Sequence, residues 1–129
     1  MKLKSELKKL DRMLGKTIKA LNDFKKALFN EEFLFVLFSN NMGVRQFNRF
    51  RDCMDELFLI LSHQSWEEHG IDFEKRRKEF ENAYVRAVMA YLNNPFATGN
   101  ILEREAKPIL LEWQDEVQNL ANQTRLLSG

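Results

Sequence analysis

Turn-forming residues are scarce in this chain, with five glycines and two prolines in 129 residues. No Asn-Gly or Asp-Gly pair occurs, so the commonest hairpin turns have nothing to form on, and a sheet built from hairpins is excluded. One cysteine, Cys53, excludes an internal disulfide and points to a reducing compartment, taken as the cytoplasm. No run of 18 apolar residues exists, and no apolar segment follows the basic start, so neither a transmembrane helix nor a secretory signal is expected. The two imidazoles, His63 and His69, stand six residues apart, a spacing that turns them to opposite sides of a helix. Neither has a glutamate three positions before it, and no His-Glu-x-x-His occurs, so no metal and no cofactor are expected. A glycine-rich phosphate loop is also missing. The paired carboxylates Asp55-Glu56 and Glu67-Glu68 are adjacent, hence point apart, and read as solvated charge. The chain is expected not to be an enzyme.

What is present is helical. Hydrophobic residues make up 44% and charged residues 30%, the balance of a folded domain that buries about two-thirds of its unfolded surface. Eleven phenylalanines against two tyrosines and two tryptophans favour a dry core or a dry interface, because Phe has no polar atom to satisfy. Leu7, Leu14, Leu21 and Leu28 recur every seven residues, and Leu3, Leu10, Thr17 and Phe24 fill the second seam position. Such an a/d heptad specifies one apolar stripe on a long helix over about residues 2–29, with Gly15 in its middle. On the opposite side Lys2, Lys9, Arg12, Lys16, Lys19 and Lys26 occupy c and f positions and form a basic stripe. Residues 1–29 carry nine basic and three acidic side chains, a balance of +6, while the rest carries eleven basic and sixteen acidic, a balance of −5.

Phe33-Leu34-Phe35-Val36-Leu37-Phe38 follows as an apolar run without a period, read as a mostly buried helical turn or a dry docking patch. A third helix carries Val44, Phe47, Phe50, Met54, Leu57, Phe58 and Leu61 on one face. Ser65 and Glu68 fit a capping box opening a single turn that ends at Gly70. A fourth helix runs from about Asp72 to Leu92 with Phe73, Phe80, Tyr84, Val88 and Tyr91 inward, Arg77 snorkelling beside them, and Asn93-Asn94-Pro95 stopping it. After a loop at 96–100, with Asn100 and Glu103 as a cap pair, a last helix from Ile101 to about Leu127 is kinked by Pro108. Its core face is Ala106, Ile109, Leu110, Trp113, Val117 and Leu120. The expected fold is all-α: one domain over 1–129, an antiparallel bundle of four to five helices.

With no chemical constellation to assign, the surplus of apolar surface points to a non-catalytic protein–protein interaction module: a small adaptor, inhibitor or regulator. Its partner is another protein or its own copy, the latter as a coiled-coil dimer. The candidate docking residues are Leu7, Leu14 and Leu21 of the seam and Phe33, Phe35 and Phe38 of the aromatic run. The alternative is a nucleic-acid-binding protein that neutralises phosphates with Lys9, Arg12, Lys16, Lys19 and Lys26, joined by Arg76 and Lys78 from the basic cluster of the fourth helix.

Overall fold

The computed structural model describes residues 2–29 and 42–128, and their regular structure is helical throughout, with no strand among the described residues. The elements are α1 (Lys2–Phe29), α2 (Met42–Leu61), the single turn α3 (Ser65–Glu68), α4 (Glu74–Ala90), α5 (Pro95–Ile101) and α6 (Lys107–Ser128). A π-helical turn, Leu102–Ala106, joins α5 to α6. Neighbouring long helices run antiparallel. Glu6 of α1 faces His63 just beyond α2, while Phe24 meets Phe47 near the start of α2. Asp11 meets Gln118, and Lys25 meets Glu103, at opposite ends of the α1–α6 contact. On α4, Arg76 reaches Glu116 and Arg86 reaches Glu105. Large rings bridge α2 to α4: Phe50 and Phe58 lie edge-on to Phe80, and Phe50 also meets Tyr84. In this four-helix arrangement α1 and α4 occupy opposite corners, and α5 closes one end.

The heptad seam of α1 is spent inside this bundle. Leu7, Leu10, Leu14 and Leu21 are wholly buried, and so is their off-seam neighbour Ala20, with Met13 nearly so. A single helical partner needs only a and d. Here α2 and α6 wrap α1 from two sides, so the buried stripe is wider than the heptad indicates. Each buried leucine contributes about 1.5–3 kcal/mol of transfer free energy. Thr17, the polar residue of the seam, is also wholly buried, and its Oγ1 donates to the Met13 carbonyl at 2.7 Å, so burial leaves it satisfied.

Four expectations are corrected. The N-cap of the turn α3 is Gln64, in helical conformation and without a side-chain cap, so Ser65 is the first helical residue and not the cap position. The end of α3 carries the order instead. Gly70 (φ +69°) donates to Glu67 O and Ile71 to Trp66 O, the paired bonds of a Schellman motif that only a left-handed residue can close. Asn93-Asn94-Pro95 does stop α4, but it also starts the next helix. Asn94 Oδ1 accepts the Phe96 N–H at 2.8 Å, Pro95 sits in the first turn, and the anticipated loop at 96–100 is α5. The Asn100–Glu103 cap pair therefore does not exist, because helical structure is continuous from 95 to 128. The kink at Pro108 takes the form of the π turn just before it. Pro108 offers no N–H to the Arg104 carbonyl and its ring crowds that carbonyl; widening the turn at 102–106 gives the relief.

The register of α4 differs most. Its inward line is Phe80, Ala83 and Ala87, whereas Val88 is 41% exposed and Tyr84 and Tyr91 are only half-buried. α5 and the π turn press close to α4, and Thr98 Oγ1 donates to the Ala87 carbonyl at 2.7 Å. Only a small side chain fits beneath such a contact. Bulk is therefore turned outward.

Candidate functional site

Three surfaces merit chemical scrutiny: a polar cleft around α3, the outer face of α4, and the outer face of α1. The cleft encloses about 890 Å³ between the end of α2 and the start of α4, over a floor of Leu61, Trp66, Ile71 and Phe73. Trp66 Nε1 donates to Ile60 O at 2.9 Å and pins that floor to α2. Ionisable groups ring it, and His63, Asp72, Glu74 and Arg77 among them have structural partners. His63 Nδ1 lies 3.2 Å from Glu6 Oε2. Arg77 bonds both Glu74 and Glu81, Asp72 Oδ1 accepts the Glu74 N–H at 2.9 Å, and Ser62 Oγ donates to Leu59 O at 2.6 Å. The Arg77 hydrogen bond holds the Glu74 carboxyl below its ordinary range, which is the behaviour of a paired anion and not of a proton shuttle. Among the described residues that line the cleft, the Ser62 hydroxyl is engaged by a backbone carbonyl and not by a base.

Cys53 lies elsewhere, half-buried on α2 with its Sγ 4.0 Å from the Lys16 carbonyl. Burial pushes its thiol up, reinforced by Glu56 and opposed by Arg49 and Lys16. A raised thiol is a poor nucleophile at neutral pH. Among the described residues no group of three or more His, Cys, Asp or Glu side chains could hold a metal ion.

The outer face of α4 is different in kind. Val85, Val88 and Met89 of α4, and Leu92 in the turn just beyond it, follow one another at i, i+3, i+4 and i+7, and their exposures are 51%, 41%, 59% and 80%. Val85, Met89 and Leu92, with Ile101 at the neighbouring helix end, line an open groove of about 560 Å³, flanked by Arg86 and Asn93. Ala83 and Ala87 on the inner face are fully buried at the same level of the helix. This stripe was missed by sequence reasoning, although the spacing of 85, 88, 89 and 92 was there to be counted. The expected inward line of Phe73, Phe80, Tyr84, Val88 and Tyr91 took Val88 for a core residue.

The anticipated docking residues fall elsewhere. Leu7, Leu14 and Leu21 are 0% exposed within the chain itself and present no surface to a partner in this fold. Phe33, Phe35 and Phe38 lie outside the described residues. Of the basic candidates, Lys9, Arg12, Lys16, Lys19 and Lys26 are exposed along α1, Lys9 with Glu6 at 3.9 Å. Arg76 leaves the set because α4 packs against α6 there: its Nε and Nη1 bond Glu116 and Glu112, each at 3.0 Å. Burial alone would lower its pKa, but those two hydrogen bonds outweigh it and raise the value, fixing the charge in an internal pair. Lys78 is exposed but belongs to α4, diagonal to α1, so the two basic clusters do not form one surface.

The fold and these surfaces define a helical bundle that fixes Arg76, Arg77 and Arg86 in ion pairs, leaves a row of cations exposed on α1 and turns apolar bulk outward on α4. Comparison of the chain with protein-family models, with curated proteins and with solved structures found no match in any of the three. No described helix is long and apolar enough to cross a membrane.

Proposed function

We propose that this chain is a non-catalytic helical interaction module, a small adaptor, inhibitor or regulator, whose docking face is the outer stripe of α4. The observation that carries the reading is the inversion of that helix, with Ala83 and Ala87 buried beneath Val85, Met89 and Leu92 in solvent. A helix that serves only its own core places bulk inward. The occupant that fits is an amphipathic helix of a partner protein. The stripe spans two helical turns, about 10 Å, and Ile101 gives the groove a second wall, the geometry of helix-in-groove recognition. The four exposed side chains fall short of the roughly 800 Å² per partner that a stable interface buries, which suits a short partner helix held weakly and not a permanent dimer. A cytoplasmic setting, where Cys53 stays reduced, accords with this role.

The test is selection from a displayed library of helical peptides, with wild type as bait and the doubly substituted M89E/L92E protein as counter-bait. Peptides with apolar anchors at i, i+3 or i+4, and i+7 should be enriched. They should bind the variant at least about tenfold more weakly while its circular dichroism is unchanged. Absence of enrichment overturns the reading. A wild-type dimer in sedimentation velocity that M89E/L92E dissolves would replace the partner by a second copy.

A further inference from the structure

The cations of this fold are sorted by position. Those facing α6 and its π turn are spent in pairs: Arg76 with Glu112 and Glu116, Arg86 with Glu105, Lys25 and Lys107 with Glu103. On the outer face of α1, Lys8, Arg12, Lys16, Lys19 and Lys26 are exposed and make no ion pair among the described residues. Lys8, Arg12 and Lys16 are four residues apart, steps of about 6 Å along the axis, and the row from Lys8 to Lys26 is about 27 Å long. Asp23 is the acidic residue on this line, and across the α1–α2 seam Arg49 is offset by Asp52 and Glu56, which leaves the ridge to α1.

We propose that this ridge is a second, independent interaction surface, and that its partner is the phosphate backbone of double-stranded nucleic acid, bound without regard to sequence. A rigid helical row of cations along one face presents several charges together to a polyanion. The ridge has no aromatic side chain on which an unpaired base could stack, which disfavours a single strand. No large apolar side chain accompanies it to enter a bilayer, which disfavours a membrane surface. The chain's net charge of only +1 makes binding depend on this local segregation and not on overall attraction.

Fluorescence anisotropy of a labelled random-sequence duplex, titrated with the full-length protein across a salt series, tests this. Five cations each neutralising one phosphate give a log–log salt slope of about −4.5, hence about a 500-fold loss of affinity from about 50 to about 200 mM salt. The triple variant R12Q/K16Q/K19Q should flatten the slope to about −1.8. K75Q/K78Q on α4, which removes exposed cations from the diagonal helix, should leave slope and affinity unchanged, and all three proteins should give the same circular dichroism. No binding at about 50 mM salt overturns the proposal, as does a slope that the triple variant leaves intact. Tighter binding to vesicles of equimolar phosphatidylserine and phosphatidylcholine than to the duplex would overturn it in favour of a membrane surface. Failure here leaves the α4 reading untouched, since neither variant touches that stripe.

Discussion

Enlarging an alanine of α4 should harm this protein more than putting a charge on its leucine. Ala87 is 1% exposed, and its carbonyl accepts the Thr98 hydroxyl at 2.7 Å, so A87L forces three more carbons into the closest contact between α4 and α5. Overpacking of this kind costs about 1–3 kcal/mol. Leu92 is 80% exposed, leaving a fifth of its surface to lose, which at about 1.5–3 kcal/mol for complete burial amounts to about 0.3–0.6 kcal/mol for L92E. Urea unfolding followed by circular dichroism separates the two. With a slope of about 2 kcal/mol per molar, A87L should lower the midpoint by about 1 M, L92E by no more than about 0.3 M, and the slope should not change. The converse order, with L92E costing more than A87L, would mean that α4 is rotated about its axis and that bulk points inward after all. The docking stripe would then vanish with the register.

Two further outcomes follow from local geometry. A Cβ at Gly99 would stand 2.7 Å from Phe29 Cζ, so G99A must displace the ring that stacks on Phe96 at 6.0 Å. The helix-propensity gain of about 1 kcal/mol is then cancelled by the lost stack of about 0.5–1.5 kcal/mol, whereas in an F29A background G99A should stabilise by about the full 1 kcal/mol; equal gains in both backgrounds would remove Phe29 from that seat. Glu103 lies below its ordinary 4.5 because Lys25 hydrogen-bonds it, aided by the charges of Lys25 and Lys107. A depressed folded value stabilises above about pH 4.5 and is lost as pH falls through the folded value, so thermal melts of wild type and E103Q should differ near neutrality and converge in acid. A constant offset at every pH would contradict that pairing.

The long periodic elements were legible in the sequence, since Leu7, Leu14 and Leu21 announce α1, and Leu110, Trp113 and Val117 announce α6. Local signals were misjudged where one residue serves two elements. Asn94-Pro95 was taken only as a stop, although an Asx cap followed by proline in the first turn is equally a helix start. Size misled at α4: hydrophobic periodicity ranks Val88 above Ala87, but close helix approach selects the smaller side chain. The candidate surfaces were half legible. The basic row of α1 was visible as a stripe, while the freedom of its cations and the internal pairing of Arg76 depend on which helices become neighbours, which no local pattern encodes. The outward stripe of α4 became recognisable only once its inward line was known.

The widened turn at Leu102–Ala106 gives this fold a dependence on counting. One residue more than a regular helix needs is lodged there, and it sets the phase between the stretch that seats Thr98 and Gly99 and the stretch that seats Trp113. A second residue inserted there would exceed what the widened turn absorbs and swing everything upstream by about 100°. Thr98 would lose its grip on Ala87, and Phe29 would lose its resting place. The turn is tied to its letters as well as to their number, since Leu102 and Ala106 are buried and Glu103 and Glu105 pair with Lys25 and Arg86.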